Sequence, residues 1–211
     1  NDVVITVETP CTPASTVYVD DTWVGTTLGT DPDGGGPATS FGCDSFATIQ
    51  DGINGVTAGG TVIVRDGTYK ENPNANKAVT IQGPNAAIAG GAVRGPEALV
   101  VSNGNQNAVF TVTSNNVTII GFTIDGDDPA VTGTPLASGD DTNTNYGVRP
   151  ASAFNHLTVQ NNNIKRVFIG FRGDGSSQNN FITANWFDSI GNFDFGYCVS
   201  MRNNFYVTLT N

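Results

Sequence analysis

The strongest constraint in this chain is a short apolar strand pattern that returns at a fixed distance. In the C-terminal half Val159, Ile182 and Phe205 lie 23 residues apart, as do Ile164 and Phe187, Val167 and Ile190, and the polar pair Asn162 and Asn185. A plain polar loop has no reason to keep that spacing. Upstream, Ile119 precedes Val159 by 40 residues and Ile124 precedes Ile164 by 40, which is one repeat plus 17 extra residues. The stretch DGDDPAVTGTPLASGDDTNTNYG (125–147) is turn-rich, acidic and without a strand pattern, and reads as a loop inserted into one repeat. VTIQG (79–83) and VTIIG (117–121) lie 38 residues apart, consistent with two shorter turns of about 19.

Strands of three to five residues with Asn or Gly at the corners cannot close a core as separate hairpins. Each unit buries its apolar face only by coiling and stacking on the next, the logic of a β-solenoid. Asn tolerates the left-handed conformation a corner needs, and its amide can ladder with the Asn one turn above. Asn161, Asn162, Asn163 and Asn185 fit that role. Composition agrees, because 26 Gly, 10 Pro, 24 Asn and 26 Thr among 211 residues are not the makings of a helical protein. A hydrophobic content of 38% still supplies a core and argues against disorder.

The expected fold is therefore all-β. Strand-like runs occur at 16–19, 61–64, 78–81, 99–101, 109–112, 117–124, 156–159, 167–171, 180–187 and 203–209, with one more at Val3–Val7. A single helix is expected over 45–56, where Phe46, Ile49, Ile53 and Val56 share one face and Ser45 serves as N-cap. Residues 1–15 read as an N-terminal strand and linker, and 16–211 as one domain. The strand NFYVTL runs to the end without a closing helix, so the domain is expected to continue, or to self-associate through that uncapped end with a strand such as Val3–Val7 of a neighbour.

Charge narrows the partners. Nineteen acidic and nine basic residues give a net charge of −10, against nucleic acid as main partner. No apolar run approaches the roughly 18 residues of a membrane span, and no basic-then-apolar leader is present. Cys11, Cys43 and Cys198 form no CxxC pair and His156 stands alone, against a zinc site. Cys11 and Cys43 flank a Gly/Pro-rich loop that a disulfide would close in an exported protein; the other reading is buried thiols, the expectation for Cys198.

One block carries a resemblance. Tyr18-Val19-Asp20, then Phe46-Ala47-Thr48-Ile49-Gln50-Asp51-Gly52-Ile53, Gly59-Gly60-Thr61-Val62-Ile63-Val64 and Asp66-Gly67-Thr68-Tyr69-Lys70-Glu71-Asn72 resemble the N-terminal end of right-handed parallel β-helix proteins of the pectin-lyase-like superfamily. The similarity covers about residues 16–210 and is specific to the fold rather than to an activity. It implies that the helix caps the open end of the coil and that Gly67–Glu71 turns into the first full coil. The superfamily includes pectate and pectin lyases, polygalacturonases, alginate-type lyases, phage tailspikes and surface proteins in which the β-helix is a spacer, adhesin or glycan-binding unit. The GHG and RIK segments of polygalacturonases are absent here, which sets that activity aside.

Three kinds of chemistry are then open. A lyase would need a neutralised uronate carboxylate and a base; Asp125, Asp127, Asp128, Asp140 and Asp141 with Lys165, Arg166 and Arg172 are the local supply, Lys165 pointing outward if Val167 points in. The same five aspartates, or Asp20, Asp21, Asp31 and Asp33 in the first long loop, offer oxygens for a structural calcium ion. Glycan binding would use exposed aromatics, for which Trp23, Tyr146 and Trp186 are the first candidates and Phe193, Phe195 and Tyr197 the next. Trp186 is expected to face out because Phe187 falls in the inward register. The leading expectation is a secreted or cell-surface module with a structural, adhesive or glycan-binding role toward a polysaccharide or cell-surface glycan, needing no cofactor and performing no catalysis. The alternative is a calcium-assisted polysaccharide lyase acting on an acidic glycan, which a protein of this charge would repel unless calcium bridged them.

Overall fold

Two buried apolar residues flanking one outward residue form the repeated unit: Val17 and Val19, Val62 and Val64, Val79 and Ile81, Val117 and Ile119, Leu157 and Val159 are all buried, and the residue between them is partly exposed. That alternation puts one face of a strand inward and the other outward. The computed structural model describes residues 11–192, 194–203 and 205–210. The expected strand at Val3–Val7, and Phe193, lie outside the described residues.

The chain begins with β1 (Thr16–Val19), a short 3-10 turn (Asp21–Trp23), β2 (Ser45–Phe46) and α1 (Ile49–Gly55). It then makes repeated passes of three strands. The first is β3 (Gly60–Val64), β4 (Gly67–Lys70) and β5 (Asn74–Ala75); the second is β6 (Val79–Gln82), β7 (Ala98–Val101) and β8 (Gln106–Val112). The third is β9 (Val117–Ile120), β10 (Thr123–Asp125), an antiparallel hairpin of β11 (Thr134–Pro135) and β12 (Asp141–Thr142), and β13 (Thr144–Pro150). Then follow β14 (Leu157–Gln160), β15 (Asn163–Val167) and β16 (Ile169–Gly173), then β17 (Ser177–Thr183), β18 (Trp186–Ile190) and β19 (Tyr197–Met201), and finally β20 (Phe205–Thr210).

Strands of the same rank in successive passes pair in parallel. The first strands, with β1, β2 and β20, make an eight-stranded sheet; the second and third strands make two five-stranded sheets. The protein is thus all-β and mostly parallel. Inward side chains line up one above another: Tyr69, Val100, Ile124, Ile164 and Phe187 across the second sheet, and Phe110, Val148, Phe171 and Val199 across the third. With the first sheet's pairs they form one buried cluster.

The corners are held by asparagine. Asn162, fully buried, donates from Nδ2 to the Ile119 carbonyl at 3.0 Å and accepts the Phe122 N–H on Oδ1 at 2.9 Å. One pass later Asn185 repeats the arrangement, donating to the Val159 carbonyl at 2.8 Å and accepting the Asn162 N–H at 3.0 Å. The left-handed backbone positions also stack in ranks: Asn116, His156 and Asn179 (φ 57°, 58° and 58°) before or within the first-sheet strands, and Gly121, Asn161 and Ala184 (φ 84°, 55° and 50°) after them. The lone His156 is therefore a corner residue in a rank of asparagines, its ring 3.3 Å from the Asn179 amide.

Several expectations are corrected. The helix starts at Ile49, capped by Thr48, whose hydroxyl accepts the Asp51 N–H, and by the Glu71 carboxylate, which accepts the Ile49 and Gln50 N–H groups at 2.7 and 3.0 Å. Ser45 is not the N-cap; it pairs with Tyr18 in β2, and the Phe46 ring lies where a Cβ on Gly55 would meet it at 2.2 Å. Val79 lies directly opposite Val117, so those 38 residues are one pass lengthened by a loop over 83–97, not two of 19. Ile182 faces Leu209 and Phe205 faces Ser177, because an irregularity between Ser177 and Asn180 shifts the register. The 117–124 run is two strands broken by the Gly121–Phe122 corner. The segment 125–147 is not strandless: Asp125 ends β10 and β13 begins at Thr144, with Val148 inward and Gly147 packed where a Cβ would come 2.5 Å from Ile164. Cys198 is exposed, since its neighbour Val199 takes the inward position in β19.

Replacing Asn162 by Ala strips two buried backbone groups of partners and is expected to cost about 2–4 kcal/mol. His156→Asn, at a corner that favours Asn, is expected to change stability by less than about 1 kcal/mol. Chemical denaturation of the two variants checks both.

Candidate functional site

The outer face of the second sheet carries two ranks. One runs Thr68, Leu99, Thr123, Asn163, Trp186; the other runs Lys70, Val101, Asp125, Lys165, Asp188. A wall rises beside them from the 83–97 loop. Gly90 N–H donates to the Ala184 carbonyl and Gly91 N–H to Asn163 Oδ1, both at 2.8 Å, while Arg94 donates to the Asn161 carbonyl at 3.0 Å. Only glycines fit at 90 and 91. A Cβ at 90 would lie 2.4 Å from the Asn162 carbonyl oxygen, and one at 91, where φ is +78°, would lie 2.7 Å from the Trp186 ring. The Gly-Gly pair is the signal in the sequence that marks this close approach, and the loop it belongs to is absent from the expectations above.

Wall and sheet enclose an open groove of about 600 Å³ lined by Leu99, Thr123, Asn163, Lys165, Trp186 and Asp188, with Gly91, Ala92 and Glu97 on the wall side. Its size falls in the range of small-ligand sites. Trp186 rests against Gly91 and remains 55% exposed. It is an aromatic platform held in place by backbone, with amide, hydroxyl and carboxylate groups beside it.

Past Lys165 the groove meets an ionic cluster at the foot of the insertion. Asp125 is fully buried; Arg166 clasps it with two nitrogens, Nε at 2.8 Å and Nη2 closer, and Lys165 Nζ lies 3.4 Å away. Arg166 also reaches Asp127 at 2.9 Å, and Lys70 pairs with Asp128 at 2.9 Å. Arg166 turns this way because its backbone is left-handed (φ 52°), which leaves Lys165 outward and Val167 buried. The hydrogen bond from Lys70 holds the Asp128 carboxyl below its usual range, and the bond to Asp125 raises Arg166. Asp127 is 5% exposed, and among the described residues its Oδ1 has no hydrogen-bond partner. Burial pushes its carboxyl up to about 6, with Arg166 opposing and the neighbouring Asp141 and Asp125 reinforcing the rise.

The structure thus brings together Asp125, Asp127, Lys165 and Arg166, with Asp128 held nearby by Lys70. Asp140 is exposed and bonded by the Ser138 hydroxyl, and Asp141 accepts the Gly133 N–H at 2.7 Å. In the first loop Asp20 caps the 3-10 turn, Asp21 accepts the Thr68 N–H, Asp31 accepts those of Asp33 and Gly34, and Asp33 pairs with Arg65. Among the described residues no group of three or more His, Cys, Asp or Glu side chains is arranged to hold a metal ion. The basic candidates are engaged: Lys165 and Arg166 as above, and Arg172, 6% exposed and on the third sheet, with Asp174 at 3.0 Å.

Of the aromatic candidates, Trp23 is corrected. It is 5% exposed beneath the Arg65 guanidinium, which lies 5.0 Å from its ring, because the capped 3-10 turn folds it inward. Tyr146 is half-buried on the third sheet with Arg149 over its ring at 5.1 Å. Phe195 and Tyr197 are exposed. Cys11 and Cys43 are joined in a disulfide that ties the entry of the chain to the end of the first loop.

No protein-family model, no curated protein and no solved structure matches this chain.

The buried Asp127 gives a signed pH dependence. Its folded-state value lies above its unfolded one, so its contribution is full below about pH 4 and is lost as pH rises through about 6. Between those limits the wild type should lose about 2–3 kcal/mol relative to Asp127→Asn. Unfolding of both proteins measured from pH 4 to 7 checks this, and parallel pH profiles would remove the assignment.

Proposed function

We propose that this chain is a right-handed parallel β-helix module of the pectin-lyase-like kind that works outside the cell, or on its surface, as a structural element binding a polysaccharide or cell-surface glycan. The fold reading is supported by passes of three strands pairing rank by rank, and by α1 lying against β1, β2, β3 and β5 at the start of the stack, with Gln50 accepting the Asn74 N–H at 2.7 Å. The location reading is supported by the Cys11–Cys43 disulfide, a bond that persists in oxidising compartments.

One observation carries the binding reading: Trp186 stands 55% exposed at the edge of a groove lined by Asn163, Thr123 and Asp188, its ring close against Gly91. A sugar ring offers an apolar face to an aromatic and hydroxyls to the polar groups around it. A fixed indole stacks without first losing rotamer freedom. This reading needs no metal. The lyase reading is less well served, since β-elimination asks for a base able to accept a proton, and Lys165, Arg166 and Arg172 all face carboxylates.

The test is a binding titration of neutral and uronate-containing oligosaccharides followed by tryptophan fluorescence and calorimetry. Trp186→Ala is expected to weaken binding at least about tenfold, as for a central aromatic anchor. Absence of binding by the wild type would overturn the reading. Growth of ultraviolet absorbance from an unsaturated product would replace it with the lyase.

A further inference from the structure

The three sheets differ in chemistry. The second sheet carries Lys70, Asp125, Lys165, Arg166 and Asp188, and the third carries Arg149 and Arg172, yet none of the eight strands of the first sheet contains an Asp, Glu, Lys, Arg or His. On a chain with 28 charged residues (19 acidic and 9 basic) and a net charge of −10, an entire sheet without one is a selective feature.

Its outward side chains form two ranks. Thr16, Thr61, Thr80, Thr118 and Thr158 stand in register on five neighbouring strands, followed by Phe181. Alongside run Tyr18, Ile63, Gln82, Ile120, Gln160 and Thr183 on the same strands. The five threonines are partly exposed, and Phe181 is 45% exposed. At about 4.8 Å between strands, the six-residue rank spans about 24 Å.

Among the described residues the hydroxyls of these five threonines and the amides of Gln82 and Gln160 make no side-chain hydrogen bond. Elsewhere in the protein threonine hydroxyls are used, as in Thr48 at the helix cap, Thr113 to Asn74 and Thr144 to Ser102. Threonine suits an outward strand position by its β-branched shape, and here the rank also leaves five hydroxyls turned to the outside.

We infer that the outer face of the first sheet binds an uncharged polysaccharide chain lying across the strands. Threonine hydroxyls and glutamine amides meet its hydroxyls at each strand, and Tyr18 and Phe181 stack on sugar faces at the two ends. The face has no cation to pair with a uronate, so the ligand is neutral. A second copy is the poorer occupant, because the pairing would bring together two molecules of charge −10 through a surface lacking Arg and Trp anchors. The surface uses none of the Trp186 groove's residues and stands or falls separately from it.

The experiment measures depletion of the full chain by insoluble cellulose, chitin and mannan, with calcium pectate as the charged comparison. At least one neutral polymer should retain the wild type. The triple variant Thr80→Val, Thr118→Val, Thr158→Val, which keeps β-branched side chains and shape, should bind about tenfold less through loss of its hydrogen bonds. Phe181→Ala, a surface change at the end of the rank, should also weaken retention. The inference is overturned if no neutral polymer retains the protein, or if the triple variant binds as the wild type does. It is equally overturned if light scattering shows a dimer that the triple variant dissolves, or if the face adsorbs to growing ice instead of to a polymer.

Discussion

Everything in this protein hangs on the way one pass of the chain is laid on the last, and the corner asparagine is the group that fixes it. A strand of four residues cannot bury its apolar pair alone; it must sit in register on the strand one pass earlier. Asn162 enforces that register by bonding to both sides of the preceding corner, at the Ile119 carbonyl and the Phe122 N–H, from a fully buried position. Asn185 does the same for the corner that contains Asn162. A polar group so placed is specific because it is intolerant: a shift of one residue would leave the amide and the corner backbone unpaired away from water.

Given that stacking, each outer face becomes a ladder of like positions, and its chemistry is set by whichever residue type recurs. The second sheet is interrupted on one side by the 83–97 loop and at its far corner by the insertion that follows Asp125. Both additions are fastened to residues at or close to the corners. The loop bonds to Asn161, Asn163 and Ala184, and the insertion is seated by Arg166, Asp125 and Asp127. The groove is a consequence of where extra residues were accommodated without disturbing the stack.

This explains which features were legible in the sequence. The pairings of Val159 with Ile182, Ile164 with Phe187 and Val167 with Ile190 follow from spacing alone, because between those passes nothing is inserted. Trp186 reads as outward for the same reason. Spacing fails where the passes change length: at Ile182, which meets Leu209 beyond a strand irregularity, and at Val79, whose pass is extended by a loop. β13 escapes notice because Asn145, Tyr146, Arg149 and Pro150 surround one strongly apolar inward residue, Val148, and its strand identity comes from β8 on one side and β16 on the other. Trp23 reads as exposed because its neighbours are turn-formers; its burial depends on Arg65 and on the Asp21 bond to Thr68, contacts 42 and 47 residues away. The aspartates read as a metal supply for a related reason, since the sequence shows the acids together and hides the cations that the fold delivers to them.

The fate of those cations ties the charge to the surfaces. Among the described residues, seven of the nine Lys and Arg side chains lie in ion pairs: Arg65, Lys70, Arg94, Arg149, Lys165, Arg166 and Arg172. An eighth, Lys77, bonds to the Asn54 and Val56 carbonyls at the end of α1. Positive charge is therefore committed to seating loops and closing the helix, and the field left for a partner is acidic. A net charge of −10 disfavours a polyanion, whereas a neutral chain carries no such cost. The strands of the first sheet carry no charged residue and a rank of threonines instead, and on the second sheet the Gly-Gly loop packs against Trp186.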